Sequence, residues 1–152
     1  EIEAETLTEN GCDDASQVDD LLDQASNKVG GFYGDGAYDK RKTYKTLDKR
    51  RIRAVIPPRR NAKIWQHGNS GKRPLSRDVA VRAIRRCGRR QWKQRVGYHR
   101  RSLSETAMYR MKCCFGDHLK NREIPNQRTE ARIRSKILNK FTHLGLPQFE
   151  WN

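Results

Sequence analysis

Apolar and polar positions alternate from the first residue. Ile2, Ala4, Thr6 and Thr8 interleave with Glu3, Glu5 and Leu7, a period of two that predicts a strand over residues 1–8. Asn10-Gly11 is a turn signal, and Asp13 or Asp14 can then cap a helix whose inner face is Val18, Leu21, Leu22 and Ala25. Residues 27–31 close that helix and lead into a short strand over 29–33. Asp39 is placed to cap a basic helix over 40–50. A second apolar run, 52–56, reads as a strand stopped by Pro57-Pro58. Strand, helix, strand, helix, strand is the order of an α/β or α+β sheet with helices packed on it.

Residues 57–97 break the regularity. Gly68, Gly71 and Pro74 mark a loop, and Arg59, Arg60, Lys63, Lys72, Arg73 and Arg77 make it basic, with Trp65 and Trp92 interleaved. Within it, Ser76 or Asp78 can start a helix over 79–87, with Val79, Ala83 and Ile84 inward and Arg82, Arg85 and Arg86 outward. Basic side chains with exposed tryptophans would suit DNA, unpaired bases above all; a solvated loop with buried tryptophans is the plain alternative. From Tyr98 a helical period sets in and runs to Gly116. Residues 121–125 read as a linker. A last helix over 127–144 has Ala131, Ile133, Ile137, Leu138 and Phe141 as its apolar positions, coated by Arg128, Arg132, Arg134, Lys136 and Lys140.

Charge changes this picture more than composition does. The 152 residues carry a net charge of +15, but residues 1–27 hold nine carboxylates and no Lys or Arg. All 33 basic residues follow, against nine further acids. Such a surplus makes nucleic acid the default partner, because phosphate contacts release counterions. An apolar content of 34% implies a small core for the length. No apolar run approaches a membrane span and no secretory signal is visible, so a cytoplasmic protein is expected. Cys12, Cys87, Cys113 and Cys114 form no C-x-x-C pair and the four histidines are scattered, which argues against zinc and for reduced thiols. The chain opens on Glu1 with no lead-in to its first strand, as if cut from something longer.

Two stretches carry candidate chemistry. In the first, Tyr98, Arg101, Glu105, Met108 and Lys112 recur every three or four residues. A phenol, a guanidinium, a carboxylate and an ammonium on one helical stripe make a poor core face and a good one for a metal and a phosphodiester. Taken alone, Ser102-Leu103-Ser104-Glu105 reads first as a capping box, and the rest of the stripe together with the second motif reverses that. The second stretch is Gly34-Asp35-Gly36-Ala37-Tyr38-Asp39. Here Asp35 reads as an acidic ligand presented at the carboxyl end of a strand, and Asp39 as a structural cap.

These stretches resemble the bacterial insertion-sequence transposases with a DDE catalytic domain. Tyr98, Arg101, Glu105 and Lys112 reproduce that family's Y-x2-R-x3-E-x6-K spacing, and Asp35 in its Gly-Asp-Gly setting looks like the second catalytic aspartate. The runs Val55-Ile56-Pro57-Pro58-Arg59-Arg60-Asn61 and 137–147 are similar too, so the likeness covers about residues 3–147. It implies a ribonuclease H-like fold, a mixed sheet with flanking helices. It also implies DNA cleavage and strand transfer with two Mg²⁺ ions, for which oxygen ligands are the right chemistry. Carried over, Asp35 and Glu105 would be the catalytic metal ligands, while Tyr98, Arg101 and Lys112 would contact DNA at the transposon end. DNA is the implied partner, a homo-oligomer on DNA the assembly to consider, and the nucleoid the place of action.

The family's first aspartate, on the opening strand of the sheet, has no counterpart in residues 1–12. Residues 1–147 are therefore expected to be the C-terminal part of the catalytic domain, entering at its third strand, with 57–97 a basic insertion and 148–152 a tail. Such a piece is expected to leave strand edges unpaired and not to cut DNA alone. The competing readings are a non-enzymatic nucleic-acid-binding protein, which has no reason to place two carboxylates where DNA must approach, and a nuclease of the same fold.

Overall fold

The computed structural model describes residues 1–8, 11–66, 71 and 74–145. His67, Gly68, Lys72, Arg73, Pro147, Trp151 and the 148–152 tail lie outside the described residues. The chain divides into two compact units, one formed by Gly11–Ser102 and one by Glu1–Asn10 with Leu103–Asn152.

The Gly11–Ser102 unit is built around a β-α-β core. Asp13 caps a 3₁₀ turn, Asp14–Gln17, by accepting the Ala15 N–H, and α1 (Val18–Gln24) follows directly. Strand β1 (Gly31–Tyr33) is joined through α2 (Arg41–Lys49) to β2 (Arg53–Val55). The two strands are parallel, with Phe32 opposite Ala54 and Tyr33 opposite Val55. Val18, Tyr44, Leu47, Ile52 and Ile56 form the buried centre, against which Leu22, Phe32, Tyr38 and Trp65 pack. In α2 the buried positions are Thr43, Tyr44 and Leu47, so the helix turns one narrow apolar stripe inward and its lysines outward. It ends with Arg51 at φ 57, the Ile52 N–H returning to the Leu47 carbonyl (2.8 Å) and the Arg51 N–H to that of Asp48 (3.0 Å). Those two bonds satisfy terminal carbonyls and turn the chain straight into β2.

The segment that reads as irregular contains two helices, α3 (Ser76–Cys87) and α4 (Arg89–Val96), separated by Gly88 alone. Helix α3 starts three residues before the expected point, and its inward face differs from the apolar one. Arg77, Asp78 and Val81 are buried, while Val79 is 52% exposed. The reason lies in the loop before it. Asp78 accepts the Trp65 and Gln66 N–H groups (3.0 and 2.8 Å), so two backbone donors are satisfied by a carboxylate turned inward. Trp92 is buried, and the half-buried Trp65 ring has the Arg77 guanidinium 3.7 Å and the Arg41 guanidinium 4.9 Å from its centre. Both tryptophans are packing residues.

In the other unit, α5 (Ser102–Phe115) and α6 (Ile124–Leu144) are the regular elements. Helix α6 begins three residues earlier than expected, with Pro125 in its first turn, where a missing N–H costs nothing. Arg134 is inside rather than on the coat. Its guanidinium bonds the His118 carbonyl (3.0 Å) and pairs with Glu130. Ile133 and Phe141 are exposed instead. Residues 1–8 form no strand. The Ile2 N–H donates to the Asn139 side chain (2.7 Å) and its carbonyl accepts from the same amide (2.8 Å). One side-chain amide thus occupies the groups that a neighbouring strand would have taken. The described residues therefore make a mostly helical α/β protein with a two-stranded parallel sheet.

Candidate functional site

Parallel strands end at the same edge of their sheet, and Asp35 stands at that edge. The Gly34 N–H carries the ladder one step past β1 to the Val55 carbonyl (3.3 Å). Asp35 then caps the 3₁₀ turn Gly36–Tyr38, its Oδ1 accepting the Ala37 N–H at 2.8 Å. Gly34 is required for space. A Cβ there would stand 2.8 Å from Phe32 Cε1 and 2.9 Å from Tyr38 Cδ2, two rings packed edge to face at 5.2 Å. A bare backbone between two aromatics is thus what fixes the turn that presents the carboxylate.

The other oxygen, Oδ2, faces the Arg101 guanidinium at 3.5 Å, with Asp35 46% and Arg101 29% exposed. Arg101 ends a 3₁₀ turn, Tyr98–Arg101, that starts from left-handed Gly97 and runs on into α5. The Lys93 ammonium lies 4.6 Å from the centre of the Tyr98 ring. Burial pushes the Tyr38 phenol up, and the negative charges of Asp14, Asp35 and Asp13 add to the shift. Asp35, Tyr98 and Arg101 belong to one unit, and the structure brings Asp35 and Arg101 together from 66 residues apart.

Glu105 and Lys112 belong to the other unit and share α5, seven residues or two turns apart and so on one stripe. Both are exposed, as is Met108, and no residue of α5 is buried. The Lys112 ammonium lies 3.6 Å from Asp117, both well exposed. The Ser102 backbone is already helical, and its Oγ donates to the His99 carbonyl (2.7 Å).

Asp39 departs from its expected role. The residue before α2 is Lys40, which makes no side-chain cap. Asp39 is buried and accepts from Arg77 Nε (2.6 Å) and Nη2 (3.3 Å) and from the Arg59 N–H (3.1 Å). It is structural, as a core ion pair. Arg77 and Asp78 are the residues that sequence reasoning missed. A hint was available: an Arg-Asp pair opening an amphipathic helix, in a stretch otherwise free of acids.

For a hard divalent cation, the carboxylate oxygens of Asp35 and Glu105 are the right donor type. Among the described residues no group of three or more His, Cys, Asp or Glu is gathered to hold a metal ion.

Similarity to known proteins agrees with the two motifs. The chain matches the family model of the transposase DDE domain over residues 2–140 and belongs to that family. No solved structure matches it. No helix among the described residues is long and apolar enough to cross a membrane.

Proposed function

We propose that residues 1–147 are the C-terminal part of a DDE transposase catalytic domain of ribonuclease H-like fold, acting on insertion-sequence ends in the bacterial nucleoid. Asp35 and Glu105 are its two metal-ligating carboxylates. Tyr98, Arg101 and Lys112 contact the DNA end. The observation that supports this reading is the Asp35–Arg101 contact, 3.5 Å across 66 residues, which joins the Gly-Asp-Gly turn to Arg101, a member of the second motif. A purely structural turn would not need a half-exposed acid and base there. The half-exposed Arg101 fork can turn to a phosphate while Asp35 retains its Ala37 bond, and the exposed Lys112 adds a second positive group for DNA.

Bound divalent ions supply the activation of the attacking oxygen and the stabilisation of the leaving one. Asp35 and Glu105 would hold such ions, and two carboxylates are fewer ligands than that chemistry needs. The polypeptide of residues 1–152 therefore binds DNA without cutting or joining it. A non-enzymatic DNA-binding protein is the second reading, favoured by the long arginine-rich span.

Iron(II) loaded in place of Mg²⁺, with ascorbate and peroxide, tests the shared site. Local radical cleavage of the polypeptide near both 35 and 105, suppressed by excess Mg²⁺, is expected. Cleavage near only one position would leave the second reading standing. Metal-dependent nicking by residues 1–152, lost in Glu105→Gln, would overturn the claim of inactivity.

A further inference from the structure

Between Lys49 and Ser104 the only carboxylate is Asp78, and it is buried and spent on two backbone N–H groups. The described arginines of residues 58–90 divide into two sets. In the first, each guanidinium holds the fold by donating to a backbone carbonyl: Arg77 to Lys63 (2.7 Å), Arg82 to Gln66 (3.3 Å), Arg85 to Ala62 (3.2 Å) and Arg89 to Pro58 (2.6 Å). Together they fasten residues 58–66 onto α3 and α4. In the second set, Arg59, Arg60, Arg86 and Arg90 are exposed, and their side chains make no hydrogen bond or ion pair with another described residue.

The first set determines where the second set stands. Gly88, at φ 79, turns α3 into α4 with no residue to spare, so Arg86 and Arg90 flank one corner. Arg85 and Arg89 grip the turn 59–62 from either side, and the Ala62 N–H closes that turn on the Arg59 carbonyl (3.1 Å). Arg59 and Arg60 thereby lie on the segment that these two side chains tie to α3 and α4. Exposed guanidiniums on segments fastened together, with no exposed carboxylate between Lys49 and Ser104 to offset them, favour an anionic partner. Their planar forks suit phosphate oxygens better than ammonium groups would. Trp92 is buried, and two guanidiniums already lie against the half-buried Trp65 ring.

We infer that this α3–α4 corner is a sequence-independent docking surface for the phosphodiester backbone of duplex DNA, with Arg59, Arg60, Arg86 and Arg90 as its contacts. The inference rests on the transposase reading and assigns it a second DNA surface, apart from the residues proposed to hold the transposon end.

The test is fluorescence anisotropy of the full chain on a labelled duplex of arbitrary sequence, titrated across a range of NaCl. R59Q/R60Q and R86Q/R90Q should each flatten the slope of log K against log salt by roughly 0.9 for every phosphate no longer neutralised, about 2 per pair. Their thermal unfolding should match the parent. R128Q/K136Q, which removes two exposed cations from α6, is the charge-matched control and should change the slope far less. An equal flattening in the control, an unchanged slope in both arginine pairs, or lowered melting in those pairs would overturn the inference. Binding by the parent with any of those results leaves the transposase reading intact. No binding by the parent to any duplex would sink both.

Discussion

Asp39 and Arg77 stand 38 residues apart in sequence and meet in the core, Nε 2.6 Å from Oδ1, with side chains 1% and 5% exposed. The pair ties the start of the basic helix to the start of α3, and its guanidinium lies over Trp65. Removing Arg77 leaves the buried Asp39 carboxylate without its guanidinium, and removing Asp39 leaves Arg77 with the longer Asp78 contact at 3.6 Å. Arg77→Met and Asp39→Asn should each cost about 3–5 kcal/mol of unfolding free energy. The double variant should cost clearly less than the sum, because the stranded charge is gone. Urea titration of the four proteins measures the coupling, and additive losses would show that the two do not act as a pair.

Gly34→Ala puts a methyl group against Phe32 and Tyr38 at 2.8 and 2.9 Å. Both rings are partly buried, so the strain should cost about 1–3 kcal/mol. Because the Gly36–Tyr38 turn hangs on that ring pair, the substitution should also disturb Asp35. The near-ultraviolet circular dichroism of Tyr38 and the melting temperature should fall together. An unchanged spectrum would mean that the rings yield freely.

Glu130 holds the turn before α6 through the Lys120 and Asn121 N–H groups and the Asn121 side chain. Those donors, the Lys120 N–H first, and the charge of Arg134 outweigh the burial that opposes them, and the carboxyl is lowered to about 2. Its folded pKa lies below the ordinary 4.5, so its stabilisation is complete above about pH 4.5 and is lost as pH falls through about 2. Between those limits the parent should lose more stability than Glu130→Gln, which has no proton to gain. Melting curves at pH 6, 4 and 3 test this, and parallel losses in both proteins would refute it.

Thr43 is buried in α2, and its hydroxyl has no hydrogen-bond partner among the described residues. Valine has the same shape without the stranded group. Thr43→Val should therefore stabilise by about 1 kcal/mol. A lower denaturation midpoint in the variant would show that the hydroxyl is satisfied in solution.

Where local chemistry decides, the sequence was a good guide. The α1, β1, α2, β2 order follows from apolar spacing and breakers at Gly11, Gly30 and Pro57, and the structure keeps it. The Tyr98–Lys112 stretch is helical throughout, though it opens as a 3₁₀ turn. The family is legible in residues 34–39 and 98–112, because a chemical motif keeps its spacing whatever surrounds it. The strand over residues 1–8 failed for lack of a partner. An alternating pattern becomes a strand only when a neighbour supplies the ladder, and Asn139 supplies one amide instead.

The arginine-rich span shows most clearly what spacing cannot decide. Its sequence says that many cations occur there and that a helix begins near Ser76. Whether a given guanidinium faces water or a carbonyl depends on which loop passes over it, and only folding lays residues 58–66 across helices further along the chain. Arg77, Arg82, Arg85 and Arg89 are internal fasteners only because residues 58–66 fold across α3 and α4. Asp39 and Asp78 become core residues for the same reason. Residue type and order determined the chemistry available to this protein, since both are local. Tertiary structure alone determined which charges are consumed in holding the fold and which remain exposed, because pairing a buried charge requires a partner that only folding brings within reach.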